Sequence, residues 1–186
     1  MIAAVVLAAG ESKRFGQAKQ LVLLDRVLEN VRAARLDAVV VVLGAHAEEI
    51  RRAVGFAGER VVVNGDYAQG MSSSIQAGLR ALPDEAEAAM IVLGDQPFVA
   101  PATLDLLIDQ YWRARPPAVV PTVDGVRGNP VIIGRSLFTE LMELRGDTGF
   151  RAIAARHPVL EVPVTDRGVL LDVDTPADLA RVRELP

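Results

Sequence analysis

Residues 1–19 read Met1-Ile2-Ala3-Ala4-Val5-Val6-Leu7-Ala8-Ala9-Gly10-Glu11-Ser12-Lys13-Arg14-Phe15-Gly16-Gln17-Ala18-Lys19. An unbroken apolar run of strand length ends in a turn of small residues, and cations follow at fixed distances. Continuous runs of this kind suit a strand covered on both faces, as in a parallel sheet, whereas a half-exposed strand would alternate. In open α/β sheets, ligands bind beyond the carboxyl ends of such strands. Leu7, Ala8, Ala9 and Gly10 bring the backbone to that position, and the three smallest let amides approach a phosphate. Ser12 follows, Arg14 offers a bidentate fork and Lys19 a mobile point charge. The spacing is neither G-x-x-x-x-G-K-[ST] nor G-x-G-x-x-G, so the Walker and dinucleotide loops are both excluded. Taken as residue types alone, the stretch also describes a plain turn followed by solvated cations.

Working outward, further aliphatic runs lie at residues 38–43, 60–63, 90–93 and 118–121. Between the first two strands, Val27, Leu28, Val31 and Leu36 recur at helical spacing, with Arg26, Glu29, Asn30 and Arg32 on the other positions, so a helix is predicted over 25–36. Helices are also predicted over 47–54, 72–82 and 103–114, the last with Thr103 as its N-cap, and another from Pro176 with Thr175 as its cap. Strand–helix alternation without a fixed-period repeat predicts a single α/β domain with a Rossmann-like, doubly wound, mostly parallel sheet and helices on both faces. Residues 1–118 are expected to form the part that binds the phosphate-bearing ligand, a nucleotide-binding part, and 174–186 a C-terminal helix. Residues 119–173, broken by glycines and Pro130, are expected to carry strand–loop insertions on the substrate side.

The chain has 186 residues, within the size of one domain. A net charge of −4, no long basic run and 4% aromatic residues argue against nucleic acid and membrane surfaces as partners. With no cysteine, thiolate chemistry and Cys-ligated metals are excluded, and His46 and His157 alone are too few for a histidine metal site. The apolar start lacks a basic n-region and meets Glu11 after ten residues, which predicts a strand rather than a signal peptide and a cytoplasmic protein.

Two further stretches carry chemistry. Asn64-Gly65-Asp66-Tyr67-Ala68-Gln69-Gly70-Met71-Ser72-Ser73-Ser74 passes from a turn into a serine-rich helix start. Serines there either cap the helix or, with its N-terminus, grip a nucleotide. Leu93-Gly94-Asp95-Gln96-Pro97 sets a carboxylate at the end of a buried strand, where it either caps a helix or binds a cation. Leu171-Asp172-Val173-Asp174-Thr175-Pro176 supplies two more, and residues two apart on a strand share a face. Magnesium needs only one or two such carboxylates beside substrate phosphates and water.

The pattern L-A-A-G-x-S-x-R-x-G-x-x-K over residues 7–19 resembles the signature of the MobA-like nucleotidyltransferases, within which it is most similar to the molybdenum cofactor cytidylyltransferases. The order of the LGDQP and DVDTP segments agrees, and the resemblance extends over residues 2–185. It implies the nucleotide-diphospho-sugar transferase type of fold and transfer of CMP from CTP to molybdopterin, giving the cytosine dinucleotide and pyrophosphate. It assigns Arg14, Lys19 and Asp95 as catalytic and Asp95 and Asp174 as holding Mg2+, with Asp172 a weaker candidate. Nucleotide contacts fall to Leu7, Ala8, Ala9, Gly10, Ser12, Arg14, Lys19, Gly70, Ser72 and Ser74. Ala9 goes with CTP rather than GTP. Asn129, Asp147 and Arg151, in loops that are otherwise simple turns, become candidates for the pterin side, and a recipient molybdoenzyme is a further partner. The segment from Lys19 to Asp25 departs from the family pattern, which has a Gly- and Pro-containing turn there. Guanylyl transfer, transfer to another phosphorylated acceptor, and a non-catalytic nucleotide- or cofactor-binding delivery protein are the alternatives.

Overall fold

A computed structural model describes residues 1–12, 18–175, 177, 178 and 180. Strand β1 (Ile2–Ala8) is followed by helix α1 (Gln20–Ala33), then β2 (Ala38–Leu43), α2 (Ala47–Ala53), β3 (Arg60–Val63), α3 (Met71–Arg80), β4 (Ala88–Leu93) and α4 (Pro101–Ala114). The second half contributes β5 (Ala118–Val123), β6 (Val126–Arg127), β7 (Val131–Gly134), α5 (Phe138–Glu143), α6 (Arg151–Ala154) and β8 (Val159–Pro163). All eight strands join one mixed sheet in the order β3-β2-β1-β4-β7-β5-β6, with β8 paired to β5. The pairings β1–β2, β1–β4, β2–β3 and β5–β8 are parallel, and β7 runs antiparallel to both β4 and β5.

The pleat sorts the aliphatic runs onto two cores. Ile2, Ala4, Val6 and Ala8 of β1 face one layer with Leu24, Leu28 and Val31 of α1 and Leu104 and Leu107 of α4. Ala3 and Val5 face the other, with Ile75 and Leu79 of α3, Leu141 of α5 and Ile153 of α6. Both faces of β1 are therefore covered, which is why its sequence runs apolar without alternation. On the α3 side the approach is so close that a Cβ at Gly78 would collide with Val5 Cγ1.

Several local expectations change. Helix α1 begins at Gln20, directly after Lys19, and buries Leu23 and Leu24, which extend the Val27/Leu28 stripe one turn backwards. No turn intervenes where the family pattern has one. Asn30, expected on the polar face, is buried and donates from Nδ2 to Pro97 O at 2.9 Å, tying α1 to the loop after β4. Thr103 is not the cap of α4: Pro101 takes the first turn, Ala100 the cap position, and Asp166 supplies the acceptor for Ala100 N at 2.9 Å and Thr103 Oγ1 at 2.7 Å. Within residues 119–173, β7 is no peripheral insertion but a buried strand between β4 and β5. Of the helix expected over 174–186, residues 177, 178 and 180 are helical, while residues 176, 179 and 181–186 lie outside the described residues, and Thr175 caps it. Asp178 N donates to Thr175 Oγ1 at 3.2 Å and Thr175 N to Asp178 Oδ2 at 2.8 Å, a reciprocal capping box. Among the described residues no helix is long and apolar enough to cross a membrane.

Alanine for glycine inside a helix ordinarily stabilises by about 1 kcal/mol. At Gly78 the new methyl would meet a rigid β-branched neighbour in a filled core, so overpacking of about 1–3 kcal/mol opposes that gain. Gly78→Ala is expected to lower the melting temperature measured by circular dichroism; a rise would show that α3 can move off the sheet.

Candidate functional site

The strand order reverses at β1: β2 and β3 lie on one side of it and β4 on the other. Chain ends leaving the carboxyl edges of β1 and β4 diverge there and open a crevice. A cleft of about 540 Å3 fills it, lined on one side by Leu7, Ala8, Ala9, Gly10, Glu11, Ser12, Lys19 and Gln20. The opposite wall is Tyr67, Ala68, Gly70, Met71, Ser74 and Asp147, and Leu93, Gly94, Asp95 and Asp174 lie alongside.

At this cleft Lys19 Nζ donates to Asp95 Oδ2 at 2.8 Å and to Asp174 Oδ1 at 2.9 Å, with Val173 O at 3.3 Å. The residue preceding α1 is thus joined to the segment after β4 and to the chain's last described segment, whose Val173 N donates to Asp95 O at 2.9 Å. The Lys19 side chain is only 12% exposed. Burial opposes its charge, but Asp95 and then Asp174 outweigh that penalty and hold the ammonium above the ordinary lysine value of 10.5. A pKa raised in the folded state contributes its stability in full at neutral pH and loses it only as pH rises past that value.

Asp172 does not join this pair. Residues 171–174 form no ladder strand, so the shared-face expectation fails, and Asp172 Oδ1 accepts from Gln96 Nε2 at 2.6 Å instead. Burial, followed by the charges of Asp95 and Asp174, raises the Asp172 carboxyl above the usual carboxylate range, against the pull of the Gln96 hydrogen bond. Among the described residues, three carboxylates thus gather around one lysine.

The second wall is fixed by glycine contact. Gly70 has φ +102°, and a Cβ there would strike the Gly146 carbonyl group and come within 2.6 Å of Asp147 N. Ser72 Oγ donates to Gly146 O at 2.8 Å and faces a separate cavity beyond the loop, whereas Ser74 lines the cleft and accepts from Asn64 Nδ2 at 3.0 Å. Ser73 Oγ donates to Gly70 O, so the serines mostly fasten loops.

Of the pterin-side candidates, Asp147 lines the cleft and accepts from Met71 N at 3.4 Å. Asn129 lies elsewhere, its N–H on Val169 O at 2.9 Å before a cis bond to Pro130, and Arg151 is exposed at the start of α6. Neither lines the cleft. Arg14 lies outside the described residues. His157 pairs with Glu140 at 2.6 Å and His46 with Glu49, both away from the cleft. Gln20, Tyr67, Ala68 and Met71 were not singled out from sequence. The last three are in the quoted second loop, but their residue types do not announce a binding wall.

A family model described as MobA-like NTP transferase domain matches residues 4–162. The chain belongs to the MobA-like NTP transferase family. It is 24% identical to the molybdenum cofactor cytidylyltransferase of Escherichia coli strain K12, covering 97% of this chain and 94% of that protein. It is also 28% identical to the nicotine blue oxidoreductase of Paenarthrobacter nicotinovorans, covering 97% and 96%. The crystal structure of Rv0371c from Mycobacterium tuberculosis H37Rv superposes with a TM-score of 0.90 at 37% identity over the whole of both chains. Rv0371c has also been solved in complex with manganese.

Nucleotidyltransferases of this family generally use divalent metals. The residues here fit one: two hard carboxylate oxygens already converge on a cationic centre, the Lys19 ammonium, and a third carboxylate nearby adds charge. Among the described residues no group of three or more His, Cys, Asp and Glu that could hold a metal ion converges.

If this point is a cation site, Lys19→Met should lower the unfolding free energy by about 1–3 kcal/mol at pH 7, because two half-buried carboxylates each lose the ammonium. Millimolar MgCl2 should recover part of that loss. Thermal melts with and without magnesium check it; a variant indifferent to magnesium would contradict the assignment.

Proposed function

We propose that this protein is a magnesium-dependent nucleotidyltransferase that transfers CMP from CTP to molybdopterin, forming molybdopterin cytosine dinucleotide and releasing pyrophosphate. The observation that carries the reading is the convergence of Lys19, Asp95 and Asp174 beside a cleft floored by residues 7–10. A binding module needs no such pair of carboxylates, whereas transfer at a phosphate does.

In the reaction, a terminal phosphate oxygen of molybdopterin attacks the α-phosphorus of CTP, and the bond from that phosphorus to the β-phosphate bridging oxygen breaks. No protein nucleophile takes part. Asp95 and Asp174 would hold the magnesium ion, which when bound supplies charge neutralisation at phosphate oxygens. Leu7, Ala8, Ala9 and Gly10 bring the backbone against the nucleotide, and Gly70 and Ser74 close the opposite wall. Lys19, together with Arg14 as the family pattern assigns it, offsets charge on the leaving pyrophosphate. Rate enhancement comes from in-line positioning and preorganised charge. Ala9 is among the residues that line the cleft, and in the family pattern alanine at this position goes with CTP rather than GTP, which supports CTP. Asp147, on the cleft wall opposite the phosphate loop, is the best placed of the three pterin-side candidates.

Pyrophosphate release is the direct test. The protein with MgCl2, molybdopterin and each nucleoside triphosphate in turn should release it with CTP, and Asp95→Ala should reduce that turnover at least about 100-fold at saturating magnesium. No release with CTP would sink the reading, and release with GTP alone would move it to guanylyl transfer.

A further inference from the structure

The loop that carries the phosphate chemistry leaves β1 at Gly10 and returns at Lys19, and a single buried side chain clasps both arms. Gln20, the first residue of α1, is 3% exposed. Its Nε2 donates to Gly10 O at 2.9 Å, and its Oε1 accepts from Ser12 Oγ at 2.9 Å. The same Ser12 oxygen accepts from Lys19 N at 3.1 Å. Gly10 O can only accept, so the amide orientation is fixed by its partners.

Ser12 adopts φ +55°, a left-handed conformation that a non-glycine residue holds only when its surroundings fix it. A buried glutamine among the leucines of α1 is costly unless its amide is satisfied, and both of these bonds end on the loop. An apolar residue at position 20 would serve the helix as well; it could not close the loop.

The geometry points to Gln20 as a positioning residue for the nucleoside triphosphate: it holds the Gly10 carbonyl, orients Ser12 and, through Ser12, sets the backbone from which Lys19 reaches Asp95 and Asp174. This deepens the nucleotidyltransferase reading and rests on it for the identity of the ligand. Gln20 touches the loop rather than the reacting atoms, so its removal loosens the cradle without changing the acidic pair.

Gln20→Met keeps the side-chain volume and removes both hydrogen bonds. In the nucleotide-free protein, amide hydrogen exchange at residues 9–12, 18 and 19 should quicken about tenfold, while exchange in the sheet strands stays as in wild type. The dissociation constant for CTP with magnesium should rise about tenfold. Ser12→Ala breaks the same clasp from the other side and should act in the same direction. Because the two residues form one unit, the double variant should be no worse than the weaker-binding single variant. Unchanged exchange at residues 9–12, 18 and 19 in both single variants, or fully additive losses in the double variant, would overturn the inference. Failure of wild-type protein to bind any nucleoside triphosphate would instead refute the functional reading, and the exchange comparison would still decide whether Gln20 holds the loop.

Discussion

One lysine ammonium between two carboxylates ties the site together. Lys19, Asp95 and Asp174 come from three distant parts of the chain, and their hydrogen bonds of 2.8 and 2.9 Å bring the start of α1, the end of β4 and the last described segment to one point. Charges so placed are tolerated because they are paired while only partly withdrawn from water. The sheet decides where that point falls. β1 has parallel neighbours on both sides, β2 on one and β4 on the other, so the connections leaving its carboxyl end separate and the crevice between β1 and β4 opens beside the pair.

The opposite wall depends on a different constraint. Gly70 can approach Gly146 and Asp147 only because it lacks a Cβ, and Ser72 then locks the two loops together. Asp147 reaches the cleft as a consequence of that contact. The serine-rich segment therefore does most of its work by holding loops in register, and Ser74 alone of its serines lines the cleft.

The strands were legible in the sequence because burial on both faces writes itself as unbroken Val, Ile, Leu and Ala. Asp95 stood out because a carboxylate at the end of a buried strand is costly without a partner, whereas Asp174 was singled out by the resemblance of the DVDTP segment to the family pattern. What sequence did not reveal depends on contacts between distant residues. Strand β7 is four residues that follow Pro130 and end on Gly134, and only its neighbours β4 and β5 make it part of the central sheet. Asn30 read as an ordinary helix polar and Gln20 lay ahead of the predicted helix, yet each is buried against a backbone carbonyl that no local pattern could supply. Asp172 and Asp174 shared a face only on the assumption of a strand; the extended segment instead gives Asp172 to Gln96.

The account stands or falls on whether the acidic pair takes a cation when nucleotide is present. A crystal structure with CTP and manganese, with the metal located by its anomalous signal, measures this directly. The account predicts a manganese peak bound by both Asp95 and Asp174, with the triphosphate against residues 7–12. Manganese bound away from both carboxylates, with Lys19 still bridging them while CTP occupies the cleft, would contradict it.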